Sequence, residues 1–131
     1  MFETKSIIGS FSVDDLAAAK RFYADTLGLK VIEDEMGTLG IHQEGQLRVF
    51  VYPKPDHQPA LFTVLNLAVD DIEKAVDDLN AKGVKTKIYG DNELEGMPND
   101  EKGIVSWDGT PSLAWFKDPA GNVIALVQDS R

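Results

Sequence analysis

The chain contains no cysteine, so disulfide bonds, thiolate zinc sites and a cysteine nucleophile are all excluded. No apolar run approaches the roughly 20 residues that a membrane-spanning helix needs. The N-terminus also has no basic segment leading into an apolar signal core. We therefore expect a soluble, unexported protein that has no membrane partner, with the cytoplasm as its default location.

Basic side chains are scarce, because 13 Lys and Arg stand against 22 Asp and Glu and give a net charge of -9. Proteins that bind nucleic acid usually present a basic face to the phosphate backbone, so no nucleic-acid partner is expected. The acidity favours a cationic ligand through long-range attraction. A solubilising acidic surface is the simpler explanation of the same composition.

The sequence repeats itself, since Ser-Val-Asp-Asp-Leu at 12–16 returns as Ala-Val-Asp-Asp-Ile at 68–72. Each copy follows a short apolar run and opens a segment with apolar residues three or four apart. This pattern predicts a strand followed by a helix whose apolar face packs on a sheet. The predicted apolar faces consist of Leu16, Ala19, Tyr23 and Leu27 in the first copy and Ile72, Val76 and Leu79 in the second.

Start and stop signals accompany both predicted helices. Asp14 and Asp70 are predicted N-caps, with Glu73 as the capping-box partner of Asp70. Gly28 and Gly83 are predicted to take the left-handed conformation that ends a helix.

Three strand-like segments follow each helix, so the predicted unit is βαβββ, used twice. The fold class is therefore α+β, and the two units are expected to pack as a single domain covering 1–131. Module one covers about 5–53, the linker 53–60 and module two about 61–129. The predicted strands after the helices are Leu29–Glu33, Thr38–Gln43 and Gln46–Tyr52, then Val84–Tyr89, Leu113–Lys117 and Asn122–Gln128.

The paired modules, Phe22-Tyr23, Leu27-Gly28-Leu29 and the segment Phe116–Ile124 resemble the vicinal oxygen chelate superfamily over nearly the whole chain. That superfamily includes glyoxalase I, extradiol dioxygenases, fosfomycin-resistance enzymes and bleomycin-binding proteins. The resemblance implies two curved mixed sheets that form an open cup, which holds a divalent metal in the enzymes. It also implies a homodimer, since relatives commonly pair modules across subunits.

The positions that the resemblance assigns to metal ligands carry no suitable donor in this chain. They are Ile8, Val49, Val64 and Ala125. If the alignment at Val49 is shifted by one or two residues, the position becomes Arg48, Phe50 or Val51. Catalytic metals need nitrogen, oxygen or sulfur ligands, typically three from the protein. We therefore expect no metal and no other cofactor.

Polar residues near these positions are candidates for binding a ligand. Ser10 and Asn66 occupy matching places in the two modules and offer a hydroxyl and an amide, although either is equally well explained by a structural role. His57 in the linker is a better functional candidate than His42 on the third strand of module one. A structural or surface role remains the simpler explanation for both histidines.

Aromatic residues supply further candidates. Tyr89 and Trp107 are predicted to stack on a ligand, whereas Trp115 is more typical of a core residue. Between Tyr89 and Trp107 lies a long acidic segment at 90–103 that has no counterpart in module one. It is either a lid over the cup or a solvated loop, and Met97-Pro98 is its predicted anchor.

These observations favour a metal-free small-molecule-binding protein of the glyoxalase and bleomycin-resistance type, with a cationic or aromatic ligand. The sequence leaves open whether the protein is an enzyme and favours a binding protein without catalytic activity. One alternative is a lyase, isomerase or dioxygenase with an unconventional site built from His57, His42 or the acidic segment. Another is an interaction module without a small-molecule ligand.

Overall fold

The computed structural model describes residues 1–91, 93–94 and 96–128. Two compact units divide the chain, Met1–Pro59 and Ala60–Arg131. Each unit holds one open, mixed, four-stranded sheet and one helical segment, which confirms the predicted α+β class with a βαβββ unit used twice. Packing of the two units as a single domain stays a prediction.

Unit 1 places its helical segment on one side of the sheet. The elements are β1 Gly9–Val13, α1 Leu16–Lys20, a π-helical continuation Arg21–Thr26, β2 Lys30–Glu33, β3 Leu39–Gln43 and β4 Gln46–Pro53. The strand order is β1-β4-β3-β2, with β1 and β4 parallel and the other pairs antiparallel. Phe11, Val13 and Tyr23 are buried in its core.

Unit 2 repeats this topology. Its elements are β5 Thr63–Val69, α2 Ile72–Ala81, β6 Val105–Trp107, β7 Thr110–Lys117 and β8 Val123–Gln128, in the order β5-β8-β7-β6. The predicted apolar face of α2 is confirmed, since Ile72, Val76 and Leu79 are all buried. Neither helix of the described chain has the length and apolarity to cross a bilayer.

The helix starts lie one residue later than predicted. The Asp15 carboxylate accepts from the Ala18 backbone N–H at 3.0 Å, and Asp71 caps α2 in the same way. The predictions of Asp14 and Asp70 as N-caps were therefore wrong, and Glu73 is not a capping-box partner. Two adjacent aspartates in each copy satisfy the sequence rule equally, and only the extended backbone at the second one decides between them.

The predicted strand Val84–Tyr89 is also wrong, because this segment joins no sheet and β6 takes the fourth position instead. One side chain bonds the backbone of this segment in place of a strand partner, and a second bond ties the segment to the chain before β6. The Asn80 amide donates to the Val84 carbonyl at 2.9 Å, and the Thr86 hydroxyl donates to the Lys102 carbonyl at 2.7 Å. The alternation of apolar and polar residues at 84–89 therefore reflects a partly buried segment that has no strand partner.

Candidate functional site

The sheet face of unit 1 that lies opposite the helical segment carries one row of residues across all four strands. Strand register aligns Ser10 of β1 with Phe50 of β4, Phe50 with Gly40 of β3, and Gly40 with Ile32 of β2. Side chains alternate between the two faces of a strand, so the residues next to this row point to the core. We call this face the open face of unit 1.

Apolar side chains of the open face remain in contact with solvent. The exposed fractions are 46% for Ile32, 39% for Phe50 and 38% for Tyr52, which is the register partner of Ser12. Ile8, just before β1, is also 39% exposed. These apolar residues share one exposed face, which makes the face a candidate binding surface.

Polar groups lie at the β1 edge of the open face. The Ser12 hydroxyl is 2.6 Å from Nδ1 of His57, and both residues are half-buried. Two backbone bonds turn the chain after β4 back toward β1: Lys54 donates to the Val13 carbonyl at 2.9 Å, and His57 donates to the Lys54 carbonyl at 3.0 Å. Since Ser10 and Ser12 share a face of β1, the structure places Ser10 and His57 at the same edge.

The residues at the expected metal positions do not fit a divalent metal. Ser10 pairs with Phe50 as Asn66 pairs with Ala125, so Phe50 is the equivalent of Ala125. Val49 is buried on the opposite face, which corrects its assignment by one residue. Phe50 has no donor atom for a metal. Within the described ranges, no three His, Asp or Glu side chains cluster in a way that could hold a metal ion.

The corresponding face of unit 2 is covered by its own chain. Its row runs from Asn66 on β5 to Ala125 on β8 and Trp115 on β7. Trp115 and Ala125 belong to a buried cluster with Val105 and Val123. Residues from the connection between α2 and β6 pack against this cluster; we call Ile88, Tyr89, Leu94 and Met97 the covering residues.

An aromatic pair lies at the centre of this covered face. The rings of Tyr89 and Trp115 meet edge to face with centroids 5.5 Å apart, and the Trp115 indole N–H donates to the Thr63 hydroxyl at 3.2 Å. Burial raises the pKa of Tyr89, and the nearby Glu93 carboxylate raises it further. Trp115 is only 9% exposed, which confirms its prediction as a core residue.

Polar contacts join the acidic segment to itself and to Lys87 just before it. The buried Asn99 accepts from the Lys87 ammonium at 2.5 Å and donates to the Gly90 carbonyl at 3.2 Å. The Gly90 N–H donates to the Glu93 carboxylate at 2.8 Å. Met97 packs against the buried cluster, which confirms its prediction as an anchor. The described part of the segment is therefore packed against unit 2, and a lid role stays a prediction.

The structure brings the sequence candidates together in two groups. Ser10 and His57 lie at one edge of the open face of unit 1, while in unit 2 Tyr89 packs on the covered face and Asn66 stays exposed at the β5 end of its row. Trp107 is 65% exposed on β6 and lies outside the buried cluster.

Sequence reasoning missed Ser12 and the apolar residues of the open face, Ile32, Phe50 and Tyr52. Ser12 carried no activation motif, although its two-residue spacing from Ser10 places both hydroxyls on one face. Phe50 entered the sequence analysis only as a neighbour of Val49, in case the alignment of the two modules was shifted by one residue. The approach of His57 to Ser12 spans 45 residues of sequence and leaves no local signal.

A smaller cleft of about 270 Å³ lies beside the C-terminal end of α2 and includes Lys85, Lys87 and Lys102. Two of these lysines are already in ion pairs, Lys87 with Asp91 at 2.9 Å and Lys102 with Asp77 at 2.7 Å. Both ion pairs are at least partly exposed, so they contribute little to stability. The cleft is thus a less suitable site than the open face.

Comparison with known proteins identifies the class. The model of the Glyoxalase/Bleomycin resistance protein/Dioxygenase superfamily matches residues 8–126, so the chain belongs to this superfamily. Members differ widely in what they bind or catalyse, and the fold by itself does not specify the activity.

Individual relatives narrow the comparison. Uncharacterized protein YraH of Bacillus subtilis (strain 168) is 26% identical over 131 residues, covering 88% of this chain and 91% of YraH. TnmS3, an antibiotic binding protein from Streptomyces sp. CB03234, is 26% identical with a TM-score of 0.64, covering 98% of this chain and all 100% of TnmS3. The fosfomycin resistance protein FosX from Listeria monocytogenes is 12% identical with a TM-score of 0.65, covering 99% and 96%, and shows a shared fold only.

Proposed function

We propose that this chain is a metal-free small-molecule-binding protein whose ligand is largely aromatic. The exposed row of Phe50 and Ile32 on the open face of unit 1 is the observation that carries the proposal. Ligand sites are predominantly apolar surfaces with a few polar groups that fix orientation, and Ser10 and the Ser12–His57 pair supply such groups. The similarity to an antibiotic binding protein supports the same reading.

In unit 2, we propose that Asn66, Tyr89 and Trp107 contribute to ligand binding. Asn66 is exposed beside Ala125, and Trp107 presents most of its indole to solvent. The net charge of -9 supports a ligand that carries a cationic group in addition to its rings.

The experiment is a titration of the purified protein with a panel of planar polycyclic antibiotics, neutral and cationic, followed by calorimetry. We expect saturable binding that weakens about tenfold in Phe50→Ala, because fully removing a phenyl contact forfeits the larger part of an apolar anchor. Met36→Ala is the control, since Met36 is 90% exposed in a turn outside the row. Equal loss in both variants would contradict the assignment of the open face.

Metal independence is tested separately. Protein purified without an affinity tag is assayed for metal content, and its thermal unfolding is followed with Mg, Mn, Fe, Ni and Zn. A ligand that binds only the folded state raises the unfolding temperature. We expect no saturable, selective shift, because Ile8, Phe50, Val64 and Ala125 offer no donor. A stoichiometric metal would refute the proposal.

The second candidate is a lyase, isomerase or dioxygenase of the same superfamily with an unconventional site. The Ser12–His57 hydrogen bond favours it, because a histidine in contact with a hydroxyl can move a proton. His42 and the acidic segment are the other groups that such a site can use. Turnover of a bound compound that His57→Gln abolishes without weakening binding would establish this candidate.

We further propose that the two units form one domain, that the chain forms homodimers and that it resides in the cytoplasm. Exposed strand edges favour pairing of copies, and closed two-fold dimers are the commonest soluble assemblies. Sedimentation tests the dimer, a single cooperative unfolding transition tests the shared domain, and cell fractionation tests the location.

A further inference from the structure

A groove of about 750 Å³ continues the open face of unit 1 beyond Ile32. It lies between the start of β2 and the turn that joins β3 to β4. The lining residues are Gly28, Leu29, Lys30, Ile32, His42, Gln43, Glu44 and Gly45. Ile32 belongs both to this lining and to the row that contains Phe50, so the groove and the open face form one continuous surface.

A β-bulge determines which side chains reach the groove. The register between β3 and β4 shifts after Ile41, so that His42 pairs with Leu47. The shift turns Leu47 onto the same face as His42, which regular alternation from Val49 would not do. Both side chains then lie over Gly40: a Cβ added there would be 2.9 Å from His42 Nε2 and 2.9 Å from Leu47 Cδ1. Gly40 therefore makes room for the imidazole.

The groove brings together two side chains that can donate to an anion. Lys30 and His42 are register partners on β2 and β3, so they share one face. Neither side chain has a hydrogen-bonding or ionic partner among the residues that the structure describes. Glu44 carries the only carboxylate of the lining, in a chain whose net charge is -9. The lining thus carries no net formal charge when His42 is neutral, because Lys30 offsets Glu44.

We propose that Lys30 and His42 bind an anionic substituent of an aromatic ligand, whose rings lie on Ile32 and Phe50. An ammonium and an imidazole N–H supply charge-assisted hydrogen bonds to a carboxylate or sulfonate. The inference rests on the proposed function and adds the chemical class of the ligand. The acidic chain as a whole attracts cations over long distances, whereas this groove is proposed to prefer an anionic group locally.

The test uses two fluorescent probes that differ in one group. Anilinonaphthalene sulfonate carries an anionic sulfonate on its rings, and N-phenylnaphthylamine is its uncharged counterpart. We expect one sulfonate probe per chain, bound about tenfold more tightly than the neutral probe, because a hydrogen bond to a charged group contributes this much. Titrations are run on the full chain, with the thermal unfolding temperature confirming the folded state.

Variants connect the preference to the groove. Lys30→Gln and His42→Gln are each expected to weaken sulfonate binding about threefold to tenfold and to leave the neutral probe unchanged. Lys85→Gln in unit 2 makes the same charge change outside the groove and serves as the control.

A second pair of variants tests the position of His42. Gly40→Ala displaces the ring of His42 and is expected to weaken sulfonate binding as His42→Gln does. Gly9→Ala adds the same methyl to β1, where nothing lies within 4 Å, and should leave binding unchanged.

The outcomes separate the inference from the proposed function. Equal affinity for the two probes, unchanged by Lys30→Gln, would overturn the anion site and leave the aromatic binding surface standing. Failure of both probes to bind would overturn both.

Discussion

The two units share one topology, yet one sheet face is open and the other is covered. In unit 1, Phe50 and Ile32 remain exposed around Gly40. In unit 2, the register places Trp115 where unit 1 has Gly40, and the covering residues pack over it. The same topology therefore presents two different surfaces, because residue size differs at two matched positions, Gly40 against Trp115 and Phe50 against Ala125, and because unit 2 has one long connection.

The length of the connection after the helix explains this difference. Unit 1 returns to a strand at Lys30, soon after its helical segment ends at Thr26, whereas unit 2 uses residues 82–104 between α2 and β6. The longer connection supplies the covering residues. Covering the large ring of Trp115 stabilises unit 2, because burying an aromatic side chain removes more apolar surface from water than burying a smaller one.

The largest expected effect tests the comparison directly. Trp115→Ala should lower the free energy of unfolding by about 3–5 kcal/mol, because it empties the centre of a buried cluster. Phe50→Ala should lower it by only about 1 kcal/mol, because that ring is already partly exposed. Urea unfolding of both variants gives the two values. Similar losses would show that the open face of unit 1 is as fully packed as the covered face.

A second prediction concerns the chain that returns toward β6. Gly103 has φ +84°, and a Cβ there would lie 2.1 Å from the Thr86 carbonyl oxygen. Gly109 has φ +77°, with nothing within 4 Å of an added Cβ. Both alanine variants carry the backbone strain, so we expect Gly103→Ala to be less stable than Gly109→Ala by about 2 kcal/mol or more.

Thermal unfolding of the two glycine variants provides the measurement. An equal fall of the unfolding temperature in both variants would contradict the prediction. It would mean that the connection can move away from Gly103 without a loss of stability, so that unit 2 tolerates a less covered face.

The helix caps test what the units have in common. Asp15→Ala and Asp71→Ala should each lower the free energy of unfolding by about 1 kcal/mol, because each removes a side-chain acceptor for a helical N–H. Asp14→Ala and Asp70→Ala serve as adjacent controls, expected to change stability by no more than about 0.5 kcal/mol. Chemical denaturation of the four variants checks the assignment, and the reverse order within either pair would contradict it.

The smallest effect concerns pH. The folded state raises the pKa of Tyr89 from 10.0 through burial and the Glu93 carboxylate. Its neutral form is therefore favoured in the folded state, and this contribution is complete below pH 10 and is lost as the pH rises through the folded value. The free energy of unfolding of Tyr89→Phe should accordingly fall less than that of the wild type between about pH 9 and pH 11. This range brackets the ordinary pKa of a tyrosine, about 10.

Thermal unfolding across this range measures the effect of Tyr89. An unchanged slope in Tyr89→Phe would show that the phenol is solvated, and hence that the covering of unit 2 is looser than the packing of Tyr89 on Trp115 implies.

Most of the architecture could be predicted because its signals are local. The repeated Asp-Asp motif, the helical spacing of Ile72, Val76 and Leu79 and the glycines that end both helices depend on neighbours a few residues apart. The failure at Val84–Tyr89 has a physical cause, since alternation reports half-burial and does not report whether a strand partner exists. Val105–Trp107 is too short to stand out in a segment rich in turns.

The candidate site was predictable only in part. Ser10 follows from its place on the first strand, but the alignment of Ser10 with Phe50 depends on parallel pairing between distant strands. The bulge after Ile41, which sets His42 over Gly40, has no signature in the residues themselves. The contact between Ser12 and His57 likewise forms only after the linker folds back.

The sequence by itself determined the repeated βαβββ unit and the superfamily, because these depend on residue type and short-range periodicity. Only the tertiary structure decided which face stays open, which polar groups meet there and how the groove beside Ile32 is lined. Strand register and the path of a long connection control these features, and both arise from contacts between residues that lie far apart in the chain.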